Sequence, residues 1–148
     1  MRNFIITFLF LAAAAMAVAQ KGASLEELIN RAQAAPTPAQ PNLYTELAER
    51  QLEAADKLYN SGDSNAANSA VEDMVTYSGK AVHAATESGS HMKPTEIALR
   101  KMAARLRTIR RTLAFEDQKP VEDAANRLEA WRTDLLSRMF DKGKKKDK

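Results

Sequence analysis

KPTEIALRKMAARLRTIRRTLAF, residues 93–115, carries the pattern from which the fold is read. Leu99, Met102, Leu106, Ile109 and Leu113 recur at spacings of 3, 4, 3 and 4, which lines them up along one face of an α-helix. Pro94 suits a first turn, where a missing N–H costs nothing, and Glu96 favours the positive end of the helix dipole. A helix over about Pro94–Phe115 is therefore expected. Its apolar stripe needs neighbours to cover it.

Those neighbours lie on both sides in sequence. Val121, Ala124, Leu128, Trp131, Leu135 and Met139 repeat the same rhythm over about Pro120–Phe140. Upstream, Ala67, Ala70, Val71, Met74, Tyr77, Ala81, Val82 and Ala85 mark a helix over about Ser64–Glu87, with a face of small residues that permits close approach. Tyr44, Leu47, Ala48, Leu52, Ala55, Leu58 and Tyr59 mark another from Asn42, a good N-cap. Asn60-Ser61-Gly62-Asp63 and Ser88-Gly89-Ser90 separate them, each with a glycine suited to a left-handed helix stop. Gly89-Ser90-His91-Met92 spells a cloning remnant but reads as a native loop between two helices. Lys93-Pro94-Thr95-Glu96 and Lys119-Pro120-Val121-Glu122 share helix-start chemistry at an offset of 26 residues, which needs no duplicated unit. No stretch shows strand alternation. The expected fold is all-α: four main helices over 42–141 whose short connections make them antiparallel, as an up-down bundle or as stacked helical hairpins.

Ala54-Ala55-Asp56-Lys57-Leu58-Tyr59-Asn60-Ser61-Gly62-Asp63, followed by Ala67, resembles the helix–turn–helix junction of a tetratricopeptide repeat in residue type and spacing. The likeness covers about 25 residues, without a second 34-residue copy. It implies a similar hairpin geometry, and members of that family commonly bind protein segments. The whole layout also resembles uncharacterised exported helical proteins of bacteria, a likeness that brings no activity with it.

Residues 20–41 form a preamble. Ser24-Leu25-Glu26-Glu27 matches a capping box opening a short helix, about Leu25–Gln33, and Pro36, Pro38 and Pro41 then predict a semi-stiff extended linker. Before that, MRNFIITFLFLAAAAMAVAQ reads as a secretory signal peptide over 1–19: a positive Arg2, an apolar run, and Ala17-Val18-Ala19 as the small-x-small site cut between Ala19 and Gln20. A retained anchor fits less well, because Leu9–Ala19 is shorter than the ~20 apolar residues that span a bilayer. The expected location is periplasmic or secreted. With no cysteine, a lipid anchor, disulfides, thiol catalysis and Cys-based metal sites are all excluded. Cleavage would lower the net charge from +3 to +2, since Arg2 is the only charged residue of the leader.

The charge is unevenly placed. Residues 93–115 concentrate arginine and lysine, while 42–62 and 63–90 are net acidic. Arg100, Lys101, Arg107 and Arg111, with Lys144, Lys145 and Lys146 of a basic, disordered tail over 142–148, form the candidate surface for an anion or a partner. Pairing of the arginines with acids on the neighbouring helices is the competing expectation. Nucleic acid fits poorly, because export separates the chain from it and no aromatics interleave with the arginines. His83 and Glu87 share a helix face at i,i+4 but lack further ligands for a metal, and no residue context activates a nucleophile or pairs two carboxylates. The sequence thus points to a non-enzymatic exported protein without a cofactor, acting as a protein-interaction or assembly module. The alternative is a peripheral module that binds the anionic envelope through the basic helix and Lys-rich tail. Self-association is compatible with either.

Overall fold

The computed structural model describes residues 22–144, the side chains of 142–144 excepted. The described chain is all-helical, without a strand: α1 (Leu25–Ala34), a 3-10 turn (Thr37–Ala39), α2 (Gln40–Asn60), α3 (Ser64–Ser88), α4 (Met92–Arg110) and α5 (Phe115–Lys144). No helix among the described residues is long and apolar enough to cross a membrane. The leader, its Ala19–Gln20 junction, Lys145 and Lys146 lie outside the described residues.

Local chemistry accounts for the boundaries. The capping box at α1 forms as the sequence requires: the Glu27 N–H donates to Ser24 Oγ at 3.1 Å and the Ser24 N–H to Glu27 Oε2 at 3.0 Å. Gly62 and Gly89, at φ 85° and 69°, take left-handed conformations that let the chain turn after α2 and α3. Asp63 then caps α3 by accepting from the Ala66 N–H at 3.1 Å.

Several expectations need correction: the helix expected over about Pro94–Phe115 stops at Arg110, leaving Leu113 beyond it, and α2 starts at Gln40, before the expected cap Asn42. Residues 35–41 do not form an extended linker. Pro36 leads into the 3-10 turn, Gln40 Nε2 donates back to the Ala35 carbonyl at 3.0 Å, and Pro41 is buried in the first turn of α2, where its absent N–H leaves no bond unmade. The last helix begins at Phe115, five residues before the expected Pro120, which removes one bond near a solvent-facing start. Pro94 lies in the first turn of α4 and Pro120 deeper inside α5, so the two Lys-Pro segments do not hold equivalent positions. At the other end, α5 continues through Lys144, so residues 142–144 of the expected disordered tail are helical.

Packing divides into two apolar clusters. The larger joins α2–α5 around Leu52, Met74, Leu99, Leu106, Val121, Leu128 and Leu135. The smaller seats α1 on the rest: Leu28 and Ala32, fully buried, meet Tyr44 and Leu47 of α2 and Ala81 of α3. Arg50 reinforces this seat, donating to the Ala23 carbonyl at 2.5 Å and to Glu46 at 2.7 Å. Among the larger helices, α2 packs chiefly on α3 and α4 chiefly on α5, and the principal contact between these two pairs is α3 on α5. There Trp131 lies so close to Gly79 that a Cβ on residue 79 would come within 3.1 Å of the indole ring.

Burial of Leu28 makes α1 part of the folded unit. Leu28→Ala should lower unfolding stability by about 2–5 kcal/mol, read from thermal or urea unfolding. A change below about 0.5 kcal/mol would show α1 to be undocked.

Candidate functional site

Two contacts hold α3 and α5 together and leave a groove between them. At one end Ser64 Oγ donates to Asp117 Oδ2 at 2.8 Å; further along, Gly79 meets Trp131. The intervening segments, 68–76 and 116–127, line a cavity of about 730 Å³. Val71, Val75, Pro120 and Ala124 give it apolar surface, since each recurs toward the α3/α5 seam at helical spacing. Asn68, Glu72 and Thr76 border it on α3, and Glu116, Lys119, Asp123 and Arg127 on α5.

The charges along this groove are unequal. Lys119 is bound to Asp123 at 2.9 Å, and that hydrogen bond and charge raise the ammonium pKa. The Arg127 guanidinium lies 5.8 Å from the Trp131 ring centroid, within cation–π range. Glu72 and Glu116 have no ion-pair partner among the described residues. The groove therefore offers apolar contact with one uncompensated carboxylate on each wall. Its carboxylates are exposed, and it contains no histidine. Arg127 also has no ion-pair partner among the described residues, so unpaired charge of both signs borders the apolar surface.

The basic residues lie elsewhere. Arg100, Lys101, Arg107 and Arg111 are all exposed, the first three on α4 and Arg111 as its C-cap. Arg107 bonds Glu129 at 3.2 Å, and its neighbours are also paired: Arg105 with Asp56 at 2.8 Å and Arg110 with Glu122 at 2.9 Å. Arg132 reaches back to the buried Glu96 at 2.6 Å and to Glu129 at 3.2 Å, which raises its pKa through those two hydrogen bonds. Compensation thus comes mainly from α5, with a single acid from α2 and none from α3. Arg100, Lys101 and Arg111 have no ion-pair partner among the described residues. Lys144 ends α5 beyond the described side chains, and Lys145 and Lys146 lie outside the described residues.

His83 sits 3.5 Å from Glu87 on an exposed stretch of α3, and no group of three His, Asp or Glu side chains suited to a metal occurs among the described residues. The α3/α5 groove was missed by sequence reasoning. Its walls come from segments about 50 residues apart, and periodicity gives a helix's buried face but not its register against another helix. No protein-family model matches the chain, and neither a curated protein nor a solved structure shows significant similarity to it.

Next to the groove, Tyr59 donates its hydroxyl to Asn68 Oδ1 at 2.5 Å. Burial, and then the nearby Asp117 charge, raise the Tyr59 pKa above its usual 10.0. A raised folded-state pKa gives stability that is full below the unfolded pKa and lost as pH climbs through the folded one. Stability should therefore fall above about pH 10, with a shallower fall in Tyr59→Phe. Urea unfolding across that range checks this, and identical alkaline slopes would count against it.

Proposed function

We propose that this chain is a non-enzymatic helical interaction module that receives a segment of a protein partner in the α3/α5 groove. The observation that carries the reading is the lining: Val71, Val75, Pro120 and Ala124 beside the uncompensated Glu72 and Glu116. The fitting partner is a segment with aliphatic or aromatic anchors and at least one lysine or arginine close to them, because desolvated opposite charges fix register while apolar contact supplies affinity.

The helix arrangement that serves this role is two stacked helical hairpins, α2/α3 and α4/α5. Pairs such as Tyr59–Asn68, Arg110–Glu122 and Arg132–Glu96 support antiparallel partners within each hairpin, because their numbers converge on the loops. The α2/α3 turn resembles, in its sequence, the junction of a tetratricopeptide hairpin, a scaffold suited to binding extended or helical segments. Action outside the cytoplasm, after cleavage between Ala19 and Gln20, is part of the same proposal and rests on the leader sequence. No cofactor is invoked.

A photo-reactive amino acid at position 75, expressed in the native cells, should trap one discrete protein adduct. Glu72→Lys/Glu116→Lys should reduce that adduct at least about tenfold, the loss that about 1.4 kcal/mol represents. An adduct indifferent to both charge reversals, or formed equally from an exposed position such as Asn30, would contradict the groove as the docking site.

A further inference from the structure

A second surface has the opposite character. At 100° per residue, Lys93, Arg100, Arg107 and Arg111 fall within about 40° of one another along α4 and its C-cap, a ridge about 27 Å long. All four are exposed. The single acid of α4, Glu96, is buried against Arg132, and Glu129 is engaged by Arg107 and Arg132. Lys93, Arg100, Lys101 and Arg111 therefore remain uncompensated among the described residues.

The ridge is flanked by exposed aromatic side chains. Phe115 is 88% and Phe140 71% exposed. They are 25 residues apart on α5, nearly seven full turns, which puts them on the same helix face about 37 Å apart. The Arg110–Glu122 and Glu96–Arg132 pairs set the register: the start of α5 lies beside the end of α4, and the later part of α5 beside its beginning. Phe115 thus stands beyond the Arg111 end of the ridge and Phe140 towards the Lys93 end. Glu122 and Glu129, on the α5 surface between the two rings, are taken up by arginines of α4.

We propose that this α4/α5 face docks on an anionic lipid bilayer, with Lys93, Arg100 and Arg111 at the headgroups and Phe115 and Phe140 inserted at either end. A bilayer suits this geometry because its charges move laterally to meet a linear array and its interface accepts an aromatic ring anywhere. A folded acidic protein would have to supply acids along the ridge and two ring-sized recesses about 37 Å apart. The lipid face is distinct from the α3/α5 groove, so each surface can fail without the other.

The test is sedimentation of the full chain with phosphatidylcholine vesicles, with or without about one-third phosphatidylglycerol; the zwitterionic vesicles serve as reference for any contribution of the leader. Preferential binding to anionic vesicles is expected, falling steeply towards about 1 M salt. Arg100→Glu/Arg111→Glu should weaken it about 25-fold or more, against little change for the charge-matched Arg31→Glu/Lys57→Glu. Phe115→Ser/Phe140→Ser should weaken it about tenfold. Far-ultraviolet circular dichroism confirms that each variant is folded, and Glu72→Lys, which alters the α3 wall of the groove, should not weaken binding. Equal binding to the two vesicle types, or equal loss in the ridge and charge-matched variants, would overturn the proposal. So would retention on polyglutamate without vesicle binding, which would assign the ridge to an acidic protein.

Discussion

The absence of a side chain at Gly79 sets how closely α3 can approach α5. A glycine in the interior of a 25-residue helix costs about 1 kcal/mol relative to alanine, yet here the Trp131 ring occupies the space a Cβ would need. The contact joins the α2/α3 pair to the α4/α5 pair, and the larger apolar core is shared across that junction. Both candidate surfaces depend on it. The groove exists because the helices close at Gly79–Trp131 and at Ser64–Asp117 while leaving space between, and the basic ridge faces outward because the apolar stripe on the opposite side of α4 is turned into the shared core.

Much of the core was legible in the chain. Leu99, Met102, Leu106 and Ile109 follow a 3.6-residue rhythm and are buried together, as are Val121, Ala124, Leu128 and Leu135. The capping box at Ser24 and the glycine stops at 62 and 89 were readable because their chemistry is local. Prolines were harder to read. Pro41 and Pro120 are both inside helices, and a rule about missing N–H groups depends on how far each lies from a helix start that the sequence only approximates. Register was harder still. The sequence showed that the arginines of α4 had acids available, but not that Glu122, Glu129 and Asp56 would meet them while Arg100, Lys101 and Arg111 kept no ion-pair partner among the described residues.

Charge is sorted across the surface rather than balanced at each point. Glu72 and Glu116 stand beside an apolar groove on one side of α5, and the lysines and arginines of the ridge stand on the other side, separated by a seam of ion pairs. Exposed pairs of that kind contribute only about 0–1 kcal/mol each to stability. Their larger effect is to consume acids next to the ridge, leaving it uniformly positive. In the proposed account, one face of α5 helps hold the molecule at a lipid surface and the other presents the groove to a protein.

The arrangement of the two helix pairs is tested most directly by a double-mutant cycle between residues 79 and 131. Gly79→Leu alone should cost about 1–3 kcal/mol, because the added side chain meets the indole. In Gly79→Leu/Trp131→Ala the leucine should occupy part of the vacated volume, so the double variant should be more stable than the two single losses predict by at least about 1 kcal/mol. Strict additivity in urea unfolding would contradict the contact on which the groove, the ridge and the joined core all rest.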